Sequence, residues 1–408
     1  MRWAVVVVID RLGAGFLGPY GNTWLETPAF NRLAGQSALL ENLMSDSARL
    51  DSVYRSYWRG WHAGVVSSEE VRSVEKQTLA ARLSATGRRS LLVTDELEVA
   101  NHPLENAFDE RIVLTPEPRN ESCTELDQTQ LAELFSTALD SLQDGDPPDL
   151  LWLHARGMQG PWDAPLSFRN ELADEEDPTP PEIVDPPSLL LPKDFDPDEL
   201  LGITQAYAGQ VAVLDLCLGT LLDVLDEHPR KDDLLLLVTS PRGYPLGEHR
   251  QVGSVDDAMY GELLHVPAIL RAPGIDAALH RDQSLAQPAD LHATLLDWFG
   301  LAPLEPAWGR SWLSLIRGDM PELHTIGCTV GDTQRAIRTP AWFLRQHGDE
   351  TELFVKPDDR WEVNNIASRC PQVIEPLCKL LDDFTAAAQQ NQPPAEPMLD
   401  DVLRAGYE

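Results

Sequence analysis

Four runs of the chain are almost entirely apolar and lack the alternation of polar and apolar residues that marks a half-exposed strand. They are WAVVVVID (3–10), SLLVTD (90–95), DLLWLHA (149–155) and LLLLVTS (234–240). Continuous runs of this kind are typical of parallel strands that are covered on both faces. The pattern therefore predicts the central strands of a sheet that is packed between helices.

Between these runs the apolar residues recur with a helical period. In the clearest case the steps alternate between four and three, through Tyr207, Val211, Leu214, Leu218, Leu221 and Leu225. Alternating strands and helices predict an α/β fold with a doubly wound, mixed but mostly parallel sheet. Ligands of such sheets bind at the carboxyl ends of the strands. The candidate site segments are therefore Asp10, PRG (241–243) and RGMQGPW (156–162).

The same patterns divide the chain into three parts. Residues 1–320 are expected to form the α/β domain, and residues 321–388 a small C-terminal α+β subdomain packed on it. In the subdomain we predict two strands around a Gly-Asp turn, followed by a helix over PQVIEPLCKLLDDFTAAA. Residues 389–408 have the composition of a linker-like tail, and its end, MLDDVLRAGYE (398–408), is either a short docking helix or frayed.

One segment of the predicted large domain is acidic and rich in proline, ELADEEDPTPPEIVDPPSLLLPKDFDPDE (171–199). Such a composition is typical of a solvated, irregular loop. The alternative is a flap that covers the carboxyl ends of the strands. Both interpretations remain open on the sequence.

The amino-acid composition limits which classes of binding partner and which cellular compartment we expect for the protein. Lys and Arg number 32 against 66 Asp and Glu, a formal net charge of -34, which argues against nucleic acid and against anionic membranes. The five cysteines are scattered and form no CxxC pair, so we expect free thiols and a cytoplasmic protein. We expect no bilayer-spanning stretch, and a homo-oligomer remains an open possibility.

In their order along the chain, three segments resemble motifs of the sulfatase family, in the alkaline phosphatase superfamily. VVVVIDRLGAGFLGPYGN is similar to the opening strand, its aspartate and an LGxYGN segment. LLWLHARGMQGPWDAP resembles the second motif, HxPH or DPHxPW, and LLLLVTSPRGYPLGEH resembles TSDHGExLGEHG. The resemblance spans roughly residues 3–381 and implies the fold of that superfamily. It also implies calcium, a formylglycine nucleophile and a histidine acid for ester hydrolysis.

The positions for metal binding are largely changed. Asp10 is retained, but Arg11 stands at a neighbouring position that is often a second aspartate ligand. Pro241 and Arg242 replace the two metal-facing residues of DHG. Proline has no ligand atom, and a permanently charged arginine would repel a cation. With Asp10 alone, we expect no bound metal and no other cofactor.

The catalytic positions are degenerate as well. The nucleophile motif of the resemblance can be aligned with the chain in two registers. One register places Leu50 at the position of the nucleophile and Tyr54 at the position of the arginine that supports it. The other places Asp51 and Arg55 at these two positions. Asp51 and Ser52 also have a structural interpretation as the N-cap of the following helix. The position of the histidine in the second motif falls on Gln159 or Gly160. Ser254 stands at the position of the second of the lysines that the resemblance implies. Glu248 and His249 of the third motif are retained. Asp51, Ser52, Gln159 and His249 are thus the remnant catalytic positions.

Three functions remain open. The first is a sulfatase-like protein without metal-dependent activity, in which Arg242 pairs with Asp10. Its pocket either is filled by this ion pair or binds an anionic or sugar-type ligand through Arg242, His249 and Arg250. The second is an active sulfuric- or phosphoric-ester hydrolase with rearranged residues, such as Asp51, Ser52, Glu248 and His249. The third is a protein-interaction module that acts through the acidic loop or the C-terminal tail.

Overall fold

A computed structural model of the chain describes residues 2–65, 77–143, 147–253, 258–274 and 279–406. The chain divides into two compact units. The first unit comprises Met1–Leu39, Leu83–Val255 and Pro267–His280, and the second comprises Leu40–Arg82, Asp256–Val266 and Arg281–Glu408. The predicted boundary at residue 320 therefore falls inside the second unit.

The strands of the described residues are β1 (Trp3–Ile9), β2 (Ala38–Met44), β3 (Ser90–Thr94), β4 (Glu110–Val113), β5 (Leu150–Ala155), β6 (Leu189–Leu190), β7 (Leu234–Thr239), β8 (Gln251–Val252), β9 (His265–Val266), β10 (Ala268–Arg271), β11 (His280–Ala286), β12 (Gly327–Val330), β13 (Gln334–Arg338), β14 (Trp342–His347) and β15 (Glu350–Val355). The α-helices there are α1 (Pro28–Gly35), α2 (Leu50–Arg59), α3 (Leu79–Ser84), α4 (Leu97–Ala100), α5 (Gln130–Gln143), α6 (Leu166–Asn170), α7 (Pro197–Glu227), α8 (Gly261–Leu264), α9 (Pro288–Phe299), α10 (Trp312–Ile316), α11 (Pro371–Gln389) and α12 (Asp401–Ala405).

The sheet of the first unit confirms the α/β prediction. Its strand order is β10-β7-β1-β5-β3-β4, with β7, β1, β5, β3 and β4 parallel and β10 antiparallel to β7. All four predicted apolar strands are present, and every residue of β1, β3, β5 and β7 is buried. A mixed, mostly parallel sheet covered by helices is the expected doubly wound architecture.

The predicted apolar stripe lies on α7, a helix of 31 residues that belongs to the hydrophobic core of the first unit. Asp196 caps its start by accepting a hydrogen bond from the backbone N–H of Asp198. By length and composition alone, α7 is apolar enough to cross a membrane, contrary to our expectation from the sequence. Because 67% of its apolar window is buried, it has the character of a core helix.

The acidic segment is more ordered near its end than a solvated loop would be. The buried guanidinium of Arg169 donates hydrogen bonds to the carbonyls of Trp162, Pro181 and Ile183. The Tyr244 hydroxyl donates to the carbonyl of Pro187 at 2.5 Å. Residues 181–191 thus lie on the loops that follow β5 and β7, which agrees with the flap interpretation. Residues 174–176, by contrast, are intermediate or exposed.

The second unit contains the predicted C-terminal α+β elements. Strands β12–β15 form an antiparallel sheet, Gly348 and Asp349 connect β14 and β15, and α11 packs against β12, β13 and β14. The structure adds β12 and β13 to the two predicted strands. The unit extends beyond residues 321–388 because His62 packs its ring edge-on against Phe384, and the backbone N–H of Val330 donates to Asp46.

Residues 389–406 are packed on the second unit and are not a free linker. The indole N–H of Trp342 donates to the carbonyl of Val402 at 2.7 Å, and Leu403 is buried. His324 bridges Glu396 and the fully buried Asp290, with 2.8 Å to each carboxylate. Of the two alternatives for the last residues, a docking helix or a frayed end, the structure has the helix α12, and its anchor Trp342 lies far away along the chain.

Candidate functional site

The carboxyl ends of β1, β5 and β7 converge at one edge of the sheet in the first unit. Asp10 follows β1 directly, Arg156 follows β5, and Arg242 lies three residues beyond the end of β7. The backbone N–H of Asp10 donates to the carbonyl of Ala155, which continues the parallel pairing past the strand and fixes the carboxylate in place. The three predicted site segments therefore meet at this edge.

Arg242 and Asp10 form a two-point ion pair. The Nε of Arg242 donates to one carboxylate oxygen of Asp10 and its Nη2 to the other, each at 2.9 Å. The Asp10 side chain is fully buried, and that of Arg242 is 12% exposed. The Ser240 hydroxyl donates to the Arg242 carbonyl and steadies the turn. The pairing expected from the sequence is confirmed, with the fork geometry that makes such pairs strong.

Electrostatics hold both groups in their charged forms. Burial alone would raise the pKa of Asp10, but the charge and hydrogen bonds of Arg242, with a further contribution from Arg11, hold it below its ordinary value. Burial lowers the pKa of Arg242, and Asp10 more than compensates, so that the pKa is raised. Burial and the charge of Arg242 lower the pKa of neighbouring His154 to about 4, although Asp10 opposes the shift. His154 is thus neutral at pH 7.

Arg11 and Gln159 are joined on the same side of the sheet. The Nε of Arg11 donates to the side-chain oxygen of Gln159 at 2.7 Å. The backbone of Arg11 is in the left-handed region, with φ of 64°, and its carbonyl accepts a hydrogen bond from the Tyr207 hydroxyl. Gln159, one of the two positions where the resemblance expects a histidine, therefore has a structural partner.

Sequence reasoning missed the acidic residues that follow β3. Asp95 is buried and accepts a hydrogen bond from the backbone N–H of Arg156 at 2.7 Å; burial raises its pKa to about 7. Glu96 lies 3.6 Å from the guanidinium of Arg156, and the charges of Glu98 and Glu96 help to raise the pKa of Arg242. Their position directly after a parallel strand was the available signal.

A calcium ion does not fit this arrangement. Calcium takes six to eight oxygen ligands, and both carboxylate oxygens of Asp10 already accept hydrogen bonds from Arg242. Pro241 contributes no side-chain ligand, and no group of three His, Cys, Asp or Glu suited to a metal occurs among the described residues. That Asp10 alone is insufficient for a metal remains a prediction.

The predicted anion-binding residues have different contacts. Arg250 directs its Nε and Nη2 at the carbonyl of Leu191, at 3.0 and 2.6 Å. His249 and Arg250 both have positive φ values, 48° and 59°, and Glu248 accepts from the backbone N–H of Leu246. Arg250 thus holds β6 next to β8, while Arg242 pairs with Asp10. A joint role in anion binding remains a prediction.

The remnant nucleophile positions belong to the second unit, on α2. The Ser52 hydroxyl accepts a hydrogen bond from Arg55 at 3.1 Å, and Asp51 pairs with Arg49 at 3.2 Å. Arg49 is the N-cap of α2, so the N-cap interpretation of Asp51 and Ser52 is wrong; both lie in its first turn.

In the other register, Leu50 and Tyr54 are core residues that are at most 1% exposed. Ser254, the second lysine position of the resemblance, lies outside the described residues.

The sequence matches the family model described as Sulfatase over residues 2–301. Arylsulfatase K of Mus musculus is 27% identical over 198 residues, which are 44% of this chain and 35% of that protein. The multifunctional alkaline phosphatase superfamily protein PehA of Trinickia caryophylli is 28% identical over 136 residues, 32% of this chain and 26% of that protein. The match thus spans about a third or less of these relatives.

Solved structures extend the similarity to the whole fold. The phosphonate monoester hydrolase of Agrobacterium radiobacter superposes with a TM-score of 0.76 at 16% identity, covering 95% of this chain and 96% of that one. BT1596, a 2-O GAG sulfatase, superposes with a TM-score of 0.75 at 18% identity, covering 99% and 96%. At such low identity these structures establish the shared fold alone.

Proposed function

The chain belongs to the sulfatase family, and we propose that it is a member without metal-dependent ester hydrolysis. The observation that carries the proposal is the ion pair of Asp10 and Arg242, in which a guanidinium engages both oxygens of the carboxylate retained from the metal site. An arginine keeps its charge at any accessible pH, so it cannot give way to a dication by losing a proton.

The acid chemistry of the family is also compromised. The position of the catalytic histidine in the resemblance falls on Gln159 or Gly160, and neither an amide nor a glycine can protonate a leaving group. The side-chain oxygen of Gln159 accepts a hydrogen bond from Arg11, which gives Gln159 a role in holding the loop after β1. The neutral, fully buried His154 lies on β5 itself and is no substitute.

Within this proposal, a pocket filled by an internal ion pair is favoured over one that binds an anion. Arg242 is balanced by Asp10 and influenced by Glu96 and Glu98, so the site offers little uncompensated positive charge. Arg250 directs its guanidinium at the carbonyl of Leu191. A bound oxyanion would have to displace the Asp10 carboxylate, which is fully buried and would be left unpaired.

The test is a turnover assay with aryl sulfate and aryl phosphate, at several pH values, with and without Ca²⁺, Mn²⁺ and Zn²⁺. We expect no cation-dependent turnover above the level of an Asp10→Ala variant prepared in parallel. Metal-dependent hydrolysis that Asp10→Ala abolishes would overturn the proposal in favour of a hydrolase with rearranged residues.

A further inference from the structure

Two arginines of the second unit, Arg59 on α2 and Arg82 on α3, have no carboxylate partner among the described residues, and Arg59 reaches the start of α3 through a hydrogen bond to Gln77. Arg59 ends α2 and is 3% exposed, and its guanidinium stacks 4.2 Å from the ring centroid of Trp61. Arg82 lies on α3, and its charge helps to lower the pKa of Arg59. Burial of two like charges is costly unless a negative charge compensates them.

The hydrogen-bond donors of this pair are only partly used. The Nη2 of Arg59 donates to the side-chain oxygen of Gln77 at 2.5 Å, and the Nη2 of Arg82 donates to the carbonyl of Ala302 at 2.7 Å. In the described part of the chain, the buried Nε and Nη1 of Arg59 and the buried Nη1 of Arg82 have no acceptor, and neither has the indole N–H of Trp61. A buried donor without an acceptor costs about 1–3 kcal/mol, more where it is charged.

The guanidinium of Arg59 keeps its positive charge at neutral pH. Burial, with the charge of Arg82, lowers the pKa of Arg59 to about 10, so it is still protonated at neutral pH. Burial and the charges of both arginines lower the pKa of His292 to about 3, against the hydrogen bond to the Tyr57 carbonyl. A neutral histidine next to two guanidiniums adds no counter-charge.

From this geometry we propose that Arg59 and Arg82 bind a small oxyanion, of the sulfate or phosphate type. Its oxygens accept hydrogen bonds from one unused donor of each guanidinium and from the indole N–H of Trp61. Guanidiniums suit such oxygens because they are permanently charged and hold several N–H donors in one plane. The site lies in the second unit and is independent of the Asp10–Arg242 pair and of the function proposed above.

Two other sources of negative charge compete with a free anion. The carboxyl end of α2 carries roughly half a negative charge, which offsets part of one guanidinium but accepts none of the unused hydrogen bonds. Residues 66–76, which include Glu69, Glu70 and Glu75, lie outside the described residues. A carboxylate from that segment is the competing occupant, and the experiment separates it from a free anion.

The experiment measures thermal unfolding and calorimetric titration of the whole chain with sodium sulfate and with sodium phosphate, against sodium chloride at equal ionic strength. We expect both oxyanions, and not chloride, to raise the unfolding temperature with a saturating dependence on concentration. In Arg82→Gln, which changes a residue that is only partly buried, the affinity for the anion should fall roughly tenfold or more.

Two variants serve as controls. Arg369→Gln removes an exposed charge of the same unit, and Arg250→Gln removes a guanidinium of the first unit; both should keep the wild-type response. The proposal is overturned if oxyanions act no differently from chloride, or if Arg82→Gln responds like the wild type. It is also overturned if Arg250→Gln alone loses the response. A strong destabilisation by the triple change of Glu69, Glu70 and Glu75 to Gln, without any oxyanion effect, would assign the counter-charge to the chain itself.

Discussion

Arg242 binds the carboxylate of Asp10 at two points, with hydrogen bonds of 2.9 Å from Nε and Nη2 that use both oxygens. The two residues are 232 positions apart in sequence and come from the ends of neighbouring parallel strands. The ion pair therefore links the first strand of the sheet to β7, and its loss should be felt by the whole first unit.

Removing only the arginine should be more damaging than removing both members of the pair. Arg242→Ala leaves the Asp10 carboxylate buried and unpaired, which costs about 3–5 kcal/mol, whereas Asp10→Leu with Arg242→Met should cost much less. Urea unfolding of both variants measures the difference. Arg369→Ala, at an exposed arginine of the second unit, is the control and should cost about 1 kcal/mol or less. An equal cost for Arg242→Ala and Arg369→Ala would contradict a stabilising role of the pair.

Restoring oxygen ligands should restore calcium binding. In the double variant Pro241→Asp and Arg242→Asn, the cationic side chain is gone and a carboxylate and an amide stand beside Asp10. We expect Ca²⁺ to raise its unfolding temperature at concentrations on the order of millimolar, because few ligands are regained. Wild type and Arg242→Asn serve as controls and should show no such rise. Calcium stabilisation of the wild type would count against the proposed function.

Arg169 should be essential for the order of the segment over the strand ends. Arg169→Met removes the three hydrogen bonds to the carbonyls of Trp162, Pro181 and Ile183 and should destabilise the first unit by about 2–4 kcal/mol. Residues 171–191 should then be cut faster by proteases, as mass spectrometry of the fragments can establish. Arg169→Lys should restore little of the lost stability, since one ammonium group cannot reproduce the hydrogen bonds of the planar guanidinium. Unchanged cleavage in Arg169→Met would contradict this.

Docking of the C-terminal tail should weaken at high pH. Burial lowers the pKa of His324, but Asp290 and Glu396 outweigh it and raise the pKa to about 9. Because the pKa of His324 is higher in the folded chain than in the unfolded chain, its protonated form stabilises the fold. This stabilisation is complete below pH 6.5 and is lost as the pH rises through about 9. The shift corresponds to a stabilisation on the order of 3 kcal/mol. Arg310, 3.2 Å from Glu396, retains part of the contact.

Hydrogen exchange of residues 393–403 measures this effect. Exchange, corrected for its intrinsic pH dependence, should accelerate between pH 7 and pH 10 in the wild type. In His324→Gln it should already be fast at pH 7 and depend little on pH. Protection in the wild type that is unchanged at pH 10 would show that His324 does not hold the tail.

The strands and the ion pair were predictable because their signals are local or follow from topology. Continuous apolar runs identify β1, β3, β5 and β7, and parallel strands bring Asp10 and Arg242 to the same edge. The contacts of Gln159 and Arg250 were not predictable, since each depends on loop backbone that no sequence pattern defines. The N-cap of α2 was misplaced because the helix begins one residue earlier than expected: Arg49 is the N-cap, and Asp51 lies in the first turn, where it pairs with Arg49.

The division into units could not be predicted for a different reason. Residues 40–82 join the second unit through contacts such as that of His62 with Phe384, more than 300 positions away. Asp95 and Glu96, in contrast, follow a predicted strand and could have been included in the site by the same rule that selected Asp10.

A counter-ion that belongs to the polypeptide cannot dissociate. The stability that a bound ion provides grows with its free concentration, so a protein that relies on one has an apo and a loaded state. Arg242 is present once for every Asp10 in any medium, so this pair has no apo state. The strand ends of the first unit should consequently keep the same arrangement in a chelating buffer and in one rich in calcium.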